Sequence, residues 1–164
     1  MTAAPESSRL VPVDRIGPGG LVQTVAATEA ECAALARRLG VPAVLALTAT
    51  FRLARGEAGR IAATAVLAGR LVRECVVSLE EFETDIAEEF AVAFVPEERL
   101  DEAIDLEGED EIPYAGGAID LGEAAAEQVA LTLDPYPHKP GAVLDAAAEG
   151  ARESPFAVLR GRRH

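Results

Sequence analysis

The chain has 164 residues, enough for one domain with a real core and too few for two comfortable ones. Hydrophobic residues make up 49% of it but aromatics only 4%, and Trp is absent, so the core is built from Ala, Val, Leu and Ile, and no stacking platform for single-stranded nucleic acid is indicated. The formal charge of −13 argues against a phosphate-binding surface over the whole molecule, because that affinity comes from clustered Lys and Arg.

In chain order, residues 10–16 read as a short strand, the run Gly17, Pro18, Gly19, Gly20 as a turn, and residues 21–26 as a second short strand. A helix follows. Thr28 and Glu31 have capping-box spacing, Cys32, Leu35, Ala36 and Leu39 recur at i, i+3, i+4 and i+7, and Gly40 with Pro42 supplies the stop. Cys32 thus falls on the buried stripe. Over residues 43–53, Ala43, Leu45, Leu47, Ala49, Phe51 and Leu53 form a dry strand face, with Val44, Thr48, Thr50 and Arg52 on the other. Beyond the glycine-bearing loop 54–60, Ile61, Ala63, Ala65, Leu67 and Leu71 share one side, and an antiparallel hairpin is the natural product. Gly69 is where a bulge is expected.

Residues 82–94 alternate most clearly: Phe82, Ile86, Phe90, Val92 and Phe94 share one face, and Glu81, Glu83, Asp85 and Glu89 the other. Pro96 stops this strand. Residues 97–111 then hold nine acids against Arg99 alone, with Leu100, Ile104 and Leu106 as scattered anchors, which reads as a loop or a fraying helix. A second helix signal opens at Ile119, where Asp120 and Glu123 have capping-box spacing and Leu121, Ala124, Ala125 and Val129 form a stripe. Asp134 and Pro135 end it. Residues 135–141 are too rich in Pro to be regular, and residues 156–160 read as a short helical segment after Pro155.

Charge is segregated along the chain. Residues 1–75 carry nine bases and six acids, net +3; residues 76–151 carry two and twenty-one, net −19; residues 152–164 carry four Arg and one Glu, net +3. An acidic middle between mildly basic ends suits two kinds of partner, although solubility alone also produces acidic surfaces. Cys32, Cys75, His138 and His164 lack the paired spacing of a zinc site, and no nucleotide-binding or hydrolase string occurs. Carboxylates are so abundant that none can be singled out as catalytic without an environment that separates two pKa values. The expectation is a protein without metal, cofactor or catalytic residues. With no export signal or long apolar run, it is read as soluble and cytoplasmic, with reduced thiols packed as small hydrophobes and no membrane contact.

Three stretches in order resemble the YceD family, the bacterial large ribosomal RNA subunit accumulation proteins. Residues 71–82, LVRECVVSLEEF, resemble the strand leading into a C-x-R-C-L-x-P-F motif: Cys75, Leu79 and Phe82 match, while Val77, Ser78 and Glu81 replace the Arg, the second Cys and the Pro. Residues 119–142 are similar to an I-D-L helix followed by L-x-L-P-x-x-P-x-H, matching at Ile119, Asp120, Leu121, Glu127, Leu131, Leu133, Pro137 and His138. Residues 154–159, SPFAVL, resemble the N/D-P-F-A-x-L element before a basic tail, through Pro155, Phe156 and Leu159. The resemblance covers roughly residue 59 to the C-terminus. It implies a role in synthesis, processing or stability of large-subunit rRNA, without known catalysis.

Together with the charge division, this makes Arg52, Arg55, Arg60, Arg70 and Arg73 around the hairpin, and Arg160, Arg162 and Arg163 in the tail, the RNA-facing candidates. The acidic middle would meet another factor or a ribosomal protein, such as a basic one. The rival reading is an acidic protein-binding module that shields such a protein before assembly and does not touch RNA. The expected architecture is one domain over residues 1–164, with an acidic loop at about 97–118 and a basic tail at about 152–164. Its fold class is α+β: an antiparallel sheet with two or three packed helices, with the curl of that sheet towards a barrel left open.

Overall fold

The computed structural model describes residues 6–99 and 110–143. The elements in chain order are β1 (Leu10–Pro12), β2 (Leu21–Ala26), α1 (Glu29–Leu39), β3 (Ala43–Arg55), β4 (Ile61–Glu74), β5 (Glu81–Pro96), β6 (Asp110–Tyr114), β7 (Ala118–Asp120) and α2 (Leu121–Thr132). Strands β2-β3-β4-β5-β6 form one sheet, antiparallel except for the parallel pair β5–β6, and β1 pairs antiparallel with β7. The α+β class is therefore present with two helices among the described residues. Among the described residues the larger sheet is open, ending at β2 and β6, and does not close into a barrel.

The period-2 pattern of β3, β4 and β5 buries Leu47, Ala49, Phe51 and Leu53, then Ile61, Ala63, Ala65, Leu67 and Leu71, then Val92 and Phe94, in one cluster with Cys32 and Leu35 of α1 and Leu121, Ala125 and Val129 of α2. Phe51 and Phe90 meet edge to face at 5.8 Å between centroids. On the opposite face Thr48, Arg52, Thr64, Val66, Ala68, Glu83 and Glu89 are exposed. Among the described residues no helix is long and apolar enough to cross a membrane.

Three local expectations change in the folded chain. At the start of β3 the register shifts between Val44 and Ala46, which pair with Leu71 and Arg70. The extra residue, Leu45, reverses the alternation before it: Val44 turns inward and Leu45 is 48% exposed. The bulge expected at Gly69 thus lies on the facing strand. Gly69 itself is in register with Leu47 and Ile86; it is glycine because a Cβ there would stand 3.0 Å from Ile86 Cγ1 and 3.2 Å from the Ala46 carbonyl.

The acidic stretch that reads as a loop through about residue 118 contains a strand at its end. Asp110–Tyr114 lies parallel to Val92–Pro96, because alternate residues Ile112 and Tyr114 reach the core cluster. The Tyr114 hydroxyl also donates to the Gly59 carbonyl at 2.6 Å. The short strand at residues 10–16 stops at Pro12 and becomes one 3-10 turn, Val13–Arg15. The helical segment expected at residues 156–160 and the basic tail lie outside the described residues.

Candidate functional site

The capping box of α1 forms as its spacing requires: the Glu31 amide donates to Thr28 Oγ1 at 3.3 Å, and the Thr28 amide to Glu31 Oε2 at 2.7 Å. Arg9 grips the same carboxylate with both guanidinium nitrogens, at 2.6 and 2.8 Å. The Arg9 hydrogen bond, followed by the Thr28 amide, lowers the Glu31 pKa to about 2.

The N-terminus of α2 departs from its expected box. Asp120 caps it, accepting from the amides of Gly122 at 3.0 Å and Glu123 at 3.2 Å, and also from the Ser8 hydroxyl at 2.6 Å and the Arg9 amide at 2.8 Å. Glu123 does not complete the box. Its carboxylate takes two bonds from Arg38 of α1, at 2.9 and 2.7 Å, and Arg38 also holds Glu6 at 3.0 Å. Asp120 and Leu121, both family-motif positions, therefore tie the N-terminal segment to α2; Leu121 is fully buried and its amide donates to the Arg9 carbonyl.

Cys75, Pro137 and His138 come together elsewhere, at the connection from β4 to β5. Residues 75–80 close on themselves, with the Cys75 amide donating to the Glu80 carbonyl and the Leu79 amide to the Cys75 carbonyl, both at 2.9 Å. The irregular segment after α2 lies against this turn. The Val76 amide donates to the Pro137 carbonyl at 3.0 Å, Lys139 Nζ pairs with Glu80 at 3.0 Å, and the Arg73 guanidinium donates to the Asp134 carbonyl.

Cys75 is wholly buried in this clasp, and the Ser78 amide donates to its sulfur at 3.5 Å. The Ser78 hydroxyl first, then the amides of Ser78 and Lys139, hold the thiol below its usual range, at about 6. His138, also matched to the motif, is exposed. Leu79 sits at φ +58, a left-handed conformation costly for a branched side chain, and is 71% exposed. Val76 and Tyr136 are also exposed, and a cleft of about 520 Å³ borders the clasp, lined in part by Gly40, Pro42, Arg73, Val76 and Pro137.

Sequence reasoning found Cys75 and Pro137 but not the residues that fasten them, Ser78, Glu80 and Lys139. A signal existed for the last, since Lys139 is one of only two bases between residues 76 and 151. Among the described residues no group of three or more His, Cys, Asp or Glu is placed to hold a metal ion.

The hairpin arginines do not gather into one patch. Arg55 donates to the Val13 carbonyl at 2.8 Å and approaches Asp14 at 3.4 Å, Arg60 pairs with Glu111, Arg70 holds Asp85 at 2.8 Å, and Arg73 holds the Asp134 carbonyl. Arg60 and Arg73 flank opposite ends of β4, roughly 40 Å apart at ~3.3 Å per residue. Arg52 lies exposed on the open face between Val22 and Thr64. Arg160, Arg162, Arg163, Pro155, Phe156 and Leu159 lie outside the described residues.

The acids of β5 contrast with these arginines. Glu81, Glu83, Asp85 and Glu89 share the face opposite Phe82, Ile86 and Phe90, as the alternation predicts. Apart from Asp85, they hold no ion pair among the described residues.

The family model described as "Large ribosomal RNA subunit accumulation protein YceD" covers residues 63–160. No curated protein and no solved structure matches the chain.

Proposed function

Because the chain belongs to the YceD family, we propose that it is a non-catalytic ribosome-biogenesis factor of the cytoplasm that promotes synthesis, processing or stability of large-subunit (23S) rRNA. The observation that carries this reading is the family match across residues 63–160, a span that contains the two segments brought together in the Cys75 clasp. Segments about sixty residues apart meet there through backbone and charge contacts, with Leu79, Val76 and Tyr136 exposed and Cys75 buried. This is the build of a recognition surface.

How the factor reaches rRNA divides into two readings. Direct contact by the hairpin arginines would need them unengaged and close together, yet four of the five already bind groups of their own fold. The unpaired carboxylates of β5 favour the second reading, in which the acidic surface holds a basic ribosomal protein and rRNA accumulation follows from that protein's delivery.

A pull-down of the tagged chain from lysate, at low and moderate salt and with or without nuclease, tests both. Large-subunit proteins retained after nuclease and lost with salt are the expected result. Precursor rRNA that disappears with nuclease, together with its proteins, would return the arginines to the leading role, and enrichment of neither would end the ribosomal reading.

A further inference from the structure

Strand β5 is sixteen residues long, but its outward edge is paired for only part of that length. β6 covers it from Val92 to Pro96; from Glu81 to Ala91 the edge has no partner strand among the described residues, and Glu81, Glu83, Asp85, Ala87, Glu88, Glu89 and Ala91 are all exposed. An unpaired edge presents a row of amides and carbonyls that can template another strand. Natural edges are blunted by charged side chains, Pro or a bulge. Residues 81–91 contain no Pro, their pairing with Glu74 through Thr64 is unbroken, and their charges are all negative, so they repel an acidic strand and admit a basic one.

The connection between β5 and β6 is too short to cover this edge itself. Fourteen Cα steps separate Pro96 from Asp110, which stands beside Val92, and a chain gains at most ~3.3–3.6 Å per step. Running back to Ala87 and forward again to Asp110 consumes that whole length, so Glu81 to Ile86 lie beyond its reach. Electrostatics acts in the same direction, since residues 100–109 hold five carboxylates and no base and would face the carboxylates of β5.

We propose that the edge of β5 from Glu81 to about Ala87 is a strand-addition site for an extended, basic segment of a partner protein, in which Lys or Arg alternates with apolar residues. The alternation follows from the pleat. On one face the added strand meets Glu81 and Glu83, which basic side chains neutralise, beside Asp85, which Arg70 already holds. On the other it continues the half-buried row of Phe82, Thr84 and Ile86, which apolar side chains cover. Backbone pairing supplies the affinity, and the two rows supply register and choice of partner. The carboxylates also oppose pairing of two copies of this chain along the same edge.

This inference rests on the protein-binding reading above, but its test is separate from the pull-down. The probe is a blocked, labelled decapeptide alternating lysine with valine or threonine, titrated onto the full chain at low salt. Its control has the same sequence with alternate backbone amides methylated, which keeps the charge and removes strand pairing. The expected result is saturable binding, at least tenfold weaker for the methylated control, with amide exchange slowed within residues 81–87. Glu81→Gln with Glu83→Gln should weaken it without changing the fold.

Equal binding of the two peptides, protection elsewhere, or outward-facing amides of 81–87 already protected in the free chain would overturn the proposal, the last by showing that the edge is already occupied. Failure here with ribosomal proteins still captured from lysate would leave the functional reading standing, and peptide binding with no ribosomal capture would do the reverse.

Discussion

Carboxylates serve opposite ends in two regions of this molecule. Where the N-terminal segment meets α1 and α2, Glu6, Glu31, Asp120 and Glu123 each accept from a defined donor: Arg9, Arg38, Ser8 or a helix-start amide. Along β5, Glu81, Glu83, Glu88 and Glu89 stand exposed without an ion pair among the described residues. The residue types are the same, and the difference is whether the fold has built a partner opposite. Fastened carboxylates hold elements together; solvated ones stay available to a second molecule.

The contrast breaks most severely at Gly122, two residues past the Asp120 cap. A Cβ at this position would lie 2.0 Å from the Ser7 carbonyl oxygen, so Gly122→Ala has to push the N-terminal segment off α2. A loss of about 3 kcal/mol or more is expected in denaturant unfolding. Asp120→Ala removes the acceptor of four donors at once and is expected to cost about 2 kcal/mol by the same measurement. A loss below ~0.5 kcal/mol would mean that the fastened region is no tighter than the solvated one.

The Glu31 carboxyl gives the comparison a pH axis. Its folded pKa of about 2 lies below the ordinary 4.5, so its contribution is full above pH 4.5 and is lost as pH falls from there towards 2. For this partly exposed pair solvent screening limits the loss to about 1 kcal/mol, and Glu31→Gln should remove that part of the acid sensitivity. Replacing Glu81, Glu83, Glu88 and Glu89 together by Gln is expected to shift stability by no more than ~0.5 kcal/mol, while capture of basic ribosomal proteins falls at least tenfold. Smallest is Leu79→Gly. Relief of ~1 kcal/mol of left-handed strain roughly offsets the ~0.5–1 kcal/mol entropy cost of glycine, so the melting temperature stays near its original value, whereas a recognition role for the exposed leucine predicts weaker ribosomal capture.

Much of the fold was legible in residue order because burial imposes a period. The α1 stripe Cys32, Leu35 and Ala36, the dry faces of β4 and β5, and the cap at Asp120 all rest on contacts within one element or between neighbours, where spacing is sufficient evidence. Leu45 shows how that logic fails: one extra residue in β3 reverses the side on which its neighbours fall, and no local signal marks it except Gly69 on the opposite strand. The strand Asp110–Tyr114 was hidden because its charged sequence resembles the loop before it, and only pairing with β5 makes it a strand.

For the site, the sequence by itself determined the charge division, the family resemblance and the identities of Cys75, Pro137 and His138. Only the tertiary structure decided which charged residues are spent. Salt bridges such as Arg38 with Glu123 and Arg60 with Glu111 join residues far apart in the chain, and no spacing rule reports them. The free edge of β5 is likewise a property of the sheet, since a strand's own residues say how it alternates but not whether a neighbour lies beside it.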